Sequence, residues 1–176
     1  MAISTYSELQ ASVADWLNRT DLTSAIGDFV ALAESQFNRS IRHRYMITRS
    51  QATIDSEYSA TPADWIQTVS LILETNPVTQ MEFITNEALN ALKSGSSATG
   101  KPSSYSHVGT EIQVFPSPDN TATGYTAELV YYATIPALSD TNTSNWLLTH
   151  NPDIYLYGTL MQSAPYLQND ERITVW

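Results

Sequence analysis

Apolar residues at the start of the chain recur at helical spacing. Tyr6, Leu9, Val13, Trp16 and Leu17 fall on one stripe, and Ile26, Phe29, Val30, Ala33, Phe37 and Ile41 fall on a second. Thr5 followed by Glu8 has the spacing of a capping box, in which hydroxyl and carboxylate each satisfy an orphan backbone donor. Arg19-Thr20-Asp21 separates the stripes. The pattern therefore predicts two helices, the second from Thr23 or Asp28 to His43, paired as an antiparallel hairpin.

After Tyr45 the period changes. Residues 45–54, 65–74, 77–84, 104–108, 111–116 and 125–134 are rich in Ile, Val, Thr and aromatics, with turn formers between them. In the last of these, Glu128, Val130 and Tyr132 alternate with Leu129, Tyr131 and Ala133, as a half-buried antiparallel strand requires. A short helix over 86–93 behind a Thr85 cap interrupts the series, and Gly95 to Ser104 reads as a loop. Residues 136–151 are nearly uncharged but contain Trp146, Leu147 and Leu148, so this stretch is expected to pack on the body. A final helix opens with Asn151 as cap and Pro152 in the first position, with Asp153 near the positive end of the dipole. Ile154, Tyr157, Leu160, Met161, Ala164 and Leu167 form its apolar face. Pro165 should kink it or loosen its last turn, and Asp170 opens a further short helix.

Helices, then strands, then helices predict an α+β fold. Residues 1–44 and 137–176 make a small helical frame, an N-terminal hairpin plus a C-terminal helix. Residues 45–136 make an inserted antiparallel β lobe carrying one short helix.

Composition narrows the chemistry. At 176 residues the chain can bury roughly 70% of its unfolded surface without metals or disulfides. It has no cysteine, which removes thiol catalysis and thiolate metal sites. A formal charge of −10 argues against a protein that wraps nucleic acid through phosphate contacts. No stretch has the length of a membrane span, and the start lacks the features of a signal peptide. The expected setting is the cytosol or a particle built there. Arg39, Arg42, Arg44 and Arg49 supply half of the eight basic residues.

Candidate motifs fail on inspection. Gly95-Ser-Ser-Ala-Thr-Gly100-Lys101 follows the pattern of a phosphate loop, but Pro102 stands where a hydroxyl must hold magnesium, and the flanking elements are wrong. His43, His107 and His150 are scattered and have no local metal-ligand spacing. Asp140, Asn142 and Ser144 open like a calcium loop, but Asn145 and Asn151 occupy its glycine and glutamate positions. Asp55 and Glu57 are expected on one solvated strand face. No catalytic residue, cofactor or metal is assigned.

Two segments carry a resemblance. Tyr6-Ser-Glu-Leu-Gln, Ala14-Asp-Trp-Leu-Asn-Arg and Asp28-Phe-Val-Ala-Leu-Ala-Glu resemble the opening of head–tail adaptor (connector) proteins of tailed bacteriophages. Asn145-Trp-Leu-Leu-Thr-His-Asn-Pro-Asp, Tyr155-Leu-Tyr-Gly-Thr-Leu, Ala164-Pro-Tyr-Leu and Asp170-Glu-Arg are similar to the far end of that family. Pro62-Ala-Asp-Trp fits its middle. The resemblance implies a non-enzymatic virion subunit in the neck, forming a homo-oligomeric ring of about twelve copies. Such a ring would meet the portal protein on one side and a tail or nozzle protein on the other, with DNA passing through its lumen without specific binding. The competing classes are a small-molecule or carbohydrate-binding β module and an enzyme whose site assembles only in space. Arg39, Arg42, His43 and Arg44 are the expected subunit-interface residues, since arginine forms bidentate pairs with a neighbour's carboxylates.

Overall fold

Thr5 caps the first helix as its spacing with Glu8 predicts. The Thr5 hydroxyl accepts from the Glu8 N–H, and the Glu8 carboxylate accepts from the Thr5 N–H at 3.0 Å. The computed structural model describes residues 3–167, in which five helices and two four-stranded sheets make an α+β fold. The chain divides into two compact units, one running to Tyr45 and resuming at Ile135, the other spanning Met46–Thr134.

The helical unit holds α1 (Tyr6–Leu17), α2 (Thr23–Ser40), α4 (Trp146–His150) and α5 (Pro152–Leu167). Asn18 ends α1 in the left-handed region, which asparagine tolerates better than most residues. Leu9, Val13, Ile26, Val30 and Ala33 are buried here, so the predicted stripes of α1 and α2 face the core. The stripe predicted for α5 is corrected, because its buried face is Tyr155, Leu156, Thr159, Leu160, Ser163 and Ala164, while Tyr157 and Met161 are exposed. Trp16 stays partly exposed and meets Tyr157 edge-on at 5.7 Å. At Gly158 an added Cβ would stand 2.5 Å from the Phe37 ring, so the absence of a side chain lets α2 and α5 approach closely.

A buried polar network ties the segment before α4 to α2 and α5. Glu34, only 6% exposed, accepts from the Leu138 N–H at 2.8 Å and from the Tyr155 hydroxyl at 3.0 Å. Asn145 donates to the Tyr155 hydroxyl and the Pro136 carbonyl, both at 2.7 Å, and its Oδ1 caps α4 through the Leu148 N–H. Burial pushes the Glu34 carboxyl above its usual range, and the Leu138 and Tyr155 donors hold it back in part. Burial likewise raises the Tyr155 hydroxyl.

The β unit is two facing sheets. One has the order β1 (Ile47–Ile54), β8 (Tyr125–Ala133), β3 (Trp65–Leu73), β4 (Thr79–Gln80). The other has the order β2 (Tyr58–Ala60), β7 (Glu111–Phe115), β6 (Ser104–Val108), β5 (Glu82–Phe83). β1 and β8 pair antiparallel from Ile47 opposite Tyr132 to Ile54 opposite Tyr125 with no slip. β5 pairs parallel with β6, and the other ladders are antiparallel. Ala127, Leu129 and Tyr131 point inward with Leu71, Ile112 and Val114, while Glu128, Val130 and Tyr132 are half-buried on the other face. α3 (Asn86–Gly95) is capped by the Thr85 hydroxyl as predicted.

Several expectations are corrected. α2 stops at Ser40 and not at His43, because the backbone turns extended at Ile41. The predicted strand over 77–84 splits around buried Met81 into two short strands of different sheets. β2 and α4 were not predicted: β2 is very short, and α4 lies where an uncharged loop was expected. Asn151 closes α4 with its N–H and receives the Ile154 N–H on its carbonyl, so that junction is made by backbone groups. α5 spans Pro152–Leu167, the extent expected for it, with Pro165 inside its last turn. The helix expected from Asp170 lies outside the described residues.

Candidate interaction surface

The sequence-predicted interface residues begin in the last turn of α2. Arg39 lies there, exposed and without an acidic partner among the described residues. Arg42 folds back on the helix end, where its Nη1 donates to the carbonyls of Asn38 at 2.9 Å and Ile41 at 2.7 Å. A guanidinium at that end meets orphan carbonyls and the negative pole of the dipole together. Arg42 therefore has a local structural task. His43 and Arg44 lie beyond the helix, so the dipole does not account for them.

The structure places aromatic rings beside these cations. Asn145 caps α4 and so sets Trp146 and His150 one turn apart on a single helix face. His43 stacks on Trp146 with centroids 5.5 Å apart and planes inclined by 17°. Tyr45 stacks on His150 at 5.1 Å and 14°, and His43 and Tyr45 are themselves 5.1 Å apart. The Arg44 guanidinium carbon sits 5.1 Å from the centre of the Tyr45 ring, within cation–π range. His43, Arg44, Tyr45 and His150 are exposed and Trp146 is half-buried. One end of the helical unit thus presents four rings and three arginines.

Sequence reasoning grouped Arg39, Arg42, His43 and Arg44 but missed Tyr45, Trp146 and His150. The expectation that the histidines are scattered is corrected for two of them, since His43 and His150 meet through Tyr45 and Trp146. The available signal was Asn145, a cap residue followed by Trp and His four apart. His107 stands elsewhere, inside the β unit against Trp65 at 4.5 Å, with Nε2 at 3.0 Å from the Thr68 hydroxyl. Burial lowers its pKa.

The remaining motif positions hold structural roles. Asp55 and Glu57 do not share a strand face. Both lie past the end of β1, where Glu57 is ion-paired with Lys93 and accepts from Gln113 at 2.6 Å. Glu57 is held below the ordinary carboxylate range because these partners outweigh its burial. In the Gly95–Lys101 segment a helix precedes the loop and β6 follows it, and Lys101 donates to the Thr79 hydroxyl at 2.8 Å. The stretch around Asp140 is a turn closed by the Ser139 N–H on the Asn142 carbonyl at 2.9 Å. Among the described residues no group of three or more His, Asp or Glu side chains could hold a metal. No described helix is long and apolar enough to cross a membrane.

What the surface can do is bind protein. Tyr, Trp and Arg dominate interface hot spots, because each buries a large area at modest entropic cost and retains a polar group for registry. His43 on Trp146 and Tyr45 on His150 are stacked within the chain itself, and a preformed arrangement lowers the ordering cost of any contact made there. The profile of the SU10 adaptor protein family matches residues 4–176, and the chain belongs to that family of phage adaptor proteins. No curated protein matches the chain.

Proposed function

We propose that this adaptor is a non-catalytic ring subunit of the neck of a tailed phage particle. It would sit between the portal protein and a tail or nozzle protein, leaving DNA a passage through its lumen. The observation that carries the reading is the family match over residues 4–176. The ring and arginine cluster around Tyr45 supports it, because an adaptor works by binding other virion proteins and needs a preformed contact surface. In this reading Arg39, His43 and Arg44 contact a different subunit, while Arg42 holds the helix end that presents them.

The test is electron microscopy of purified particles together with mass spectrometry of their proteins. The expected result is a ring of this chain in register with the portal vertex. Absence of the chain from intact particles would overturn the proposal.

A further inference from the structure

His107 makes a polar tie between the two sheets of the β unit. It lies on β6, and its Nε2 is 3.0 Å from the Thr68 hydroxyl on β3 of the other sheet. Trp65, also on β3, packs its ring 4.5 Å from the imidazole and donates from Nε1 to the same Thr68 oxygen at 3.0 Å. An indole N–H can only donate, so the Thr68 oxygen accepts there and its own proton is left for His107 Nε2. That assignment puts the single proton of the neutral ring on Nδ1. Nδ1 is shut off from solvent, and among the described residues no group partners it.

A second proton would be poorly held. It must go to Nε2, where it opposes the Thr68 hydroxyl proton, and the charged ring then carries two donors with no acceptor ready for either. Asp64, Glu82, Glu87, Tyr105 and Glu111 are the titratable groups on or beside the surrounding elements, yet burial is the one cause that acts on the ring, and it disfavours the charge. Asp64, the neighbour of Trp65, is taken up by the Tyr131 hydroxyl at 2.9 Å. What the ring does have is room to move. A cleft of about 350 Å³ opens beside it, walled by Trp65, Thr68, Val69, Phe83 and Tyr105, and Val69 and Phe83 are exposed to water.

We infer that His107 is an acid-released catch between the two sheets of the β unit. Neutral, the ring closes this end of the sandwich through Thr68 and Trp65. Charged, it turns into the cleft to be hydrated, and the Thr68 bond and the Trp65 stack are lost together. Trp65 and Tyr105 then meet water, while the core around Leu71, Val114 and Leu129 stays packed. The catch lies wholly within Met46–Thr134 and does not depend on the adaptor reading.

His107→Gln keeps polar atoms near Thr68 but takes up no proton, so it is the control. Histidine-ring NMR between pH 8 and 5 should show one signal, absent from the variant, that titrates below the ordinary midpoint of about 6.5. With fluorotryptophan incorporated, the Trp65 signal, assigned from Trp65→Phe, should shift on the same curve in wild type and stay still in the variant. Below about 6.5 the unfolded chain takes the proton first. The wild-type folding constant should therefore fall relative to the variant's by up to about tenfold per pH unit, levelling off once the folded ring is itself charged. His107→Phe serves as the control if the glutamine chain fails to fold. A ring that titrates at the ordinary midpoint, a Trp65 signal that does not follow it, or parallel stability profiles for wild type and control would each overturn the inference.

Discussion

Glu34 is a carboxylate placed where a carboxylate is costly, and its two donors only partly offset its burial. Its folded pKa lies above the unfolded value of 4.5, so the fold favours the protonated form. That contribution is complete below the unfolded pKa and is lost as pH rises through the folded one. Wild type should therefore lose melting temperature relative to Glu34→Gln as pH is raised from about 4.5. Parallel melting-temperature profiles for the two proteins would count against a buried titrating Glu34. Gly158 gives a second residue-scale expectation. Alanine is the better helix former, yet its methyl would press on the buried Phe37 ring. Gly158→Ala should destabilise by about 1–3 kcal/mol in urea titration, whereas relief by simultaneous Phe37→Leu would identify the clash as the cause.

Among elements, α5 covers the N-terminal hairpin, and Leu160 on it is fully buried. Leu160→Ala should cost about 2–5 kcal/mol by opening a cavity, measured by chemical denaturation. Elements with long periodic stripes were legible in the sequence: α1, α2, α3 and α5, with β1, β3, β6, β7 and β8. Periodicity fails where an element spans less than two of its own repeats, which is why β2, β4, β5 and α4 were missed or merged. The candidate interface was half legible for a related reason. Arg39, Arg42 and Arg44 are close in sequence, but Trp146 and His150 reach His43 and Tyr45 only through tertiary packing. Glu34 and Tyr155 were likewise unremarkable letters until folding put one hydrogen bond in reach of the next.

At the scale of the whole molecule, the scarcity of positive charge makes each free cation informative. Arg42 already serves the α2 end, so replacing it would confuse stability with assembly. Arg39→Glu with Arg44→Glu is the cleaner pair. This double variant should keep its melting temperature, apart from an exposed cation–π contact of about 0.5–1 kcal/mol, but fail to enter particles. Normal incorporation, read by mass spectrometry of purified particles, would remove the arginines from the contact. The net charge of −10 carries an expectation for DNA as well. A channel that passes a duplex should not hold it, and acidic groups repel phosphates within about 10 Å at moderate salt. A ring structure should show a lumen with more Asp and Glu than Arg and Lys.

The division of the helical unit by the β unit also orders events in time. α1 and α2 leave the ribosome early, but the helix that covers their apolar faces begins only at Pro152. At about 5–20 residues per second, translation would leave that hairpin waiting on the order of 5–25 s for its cover. Met46–Thr134 is contiguous and has its own core, so it is the part able to close while synthesis continues. The nascent chain would thus carry a finished middle and an unfinished beginning, with Phe29, Val30 and Phe37 open to chaperones until α5 arrives.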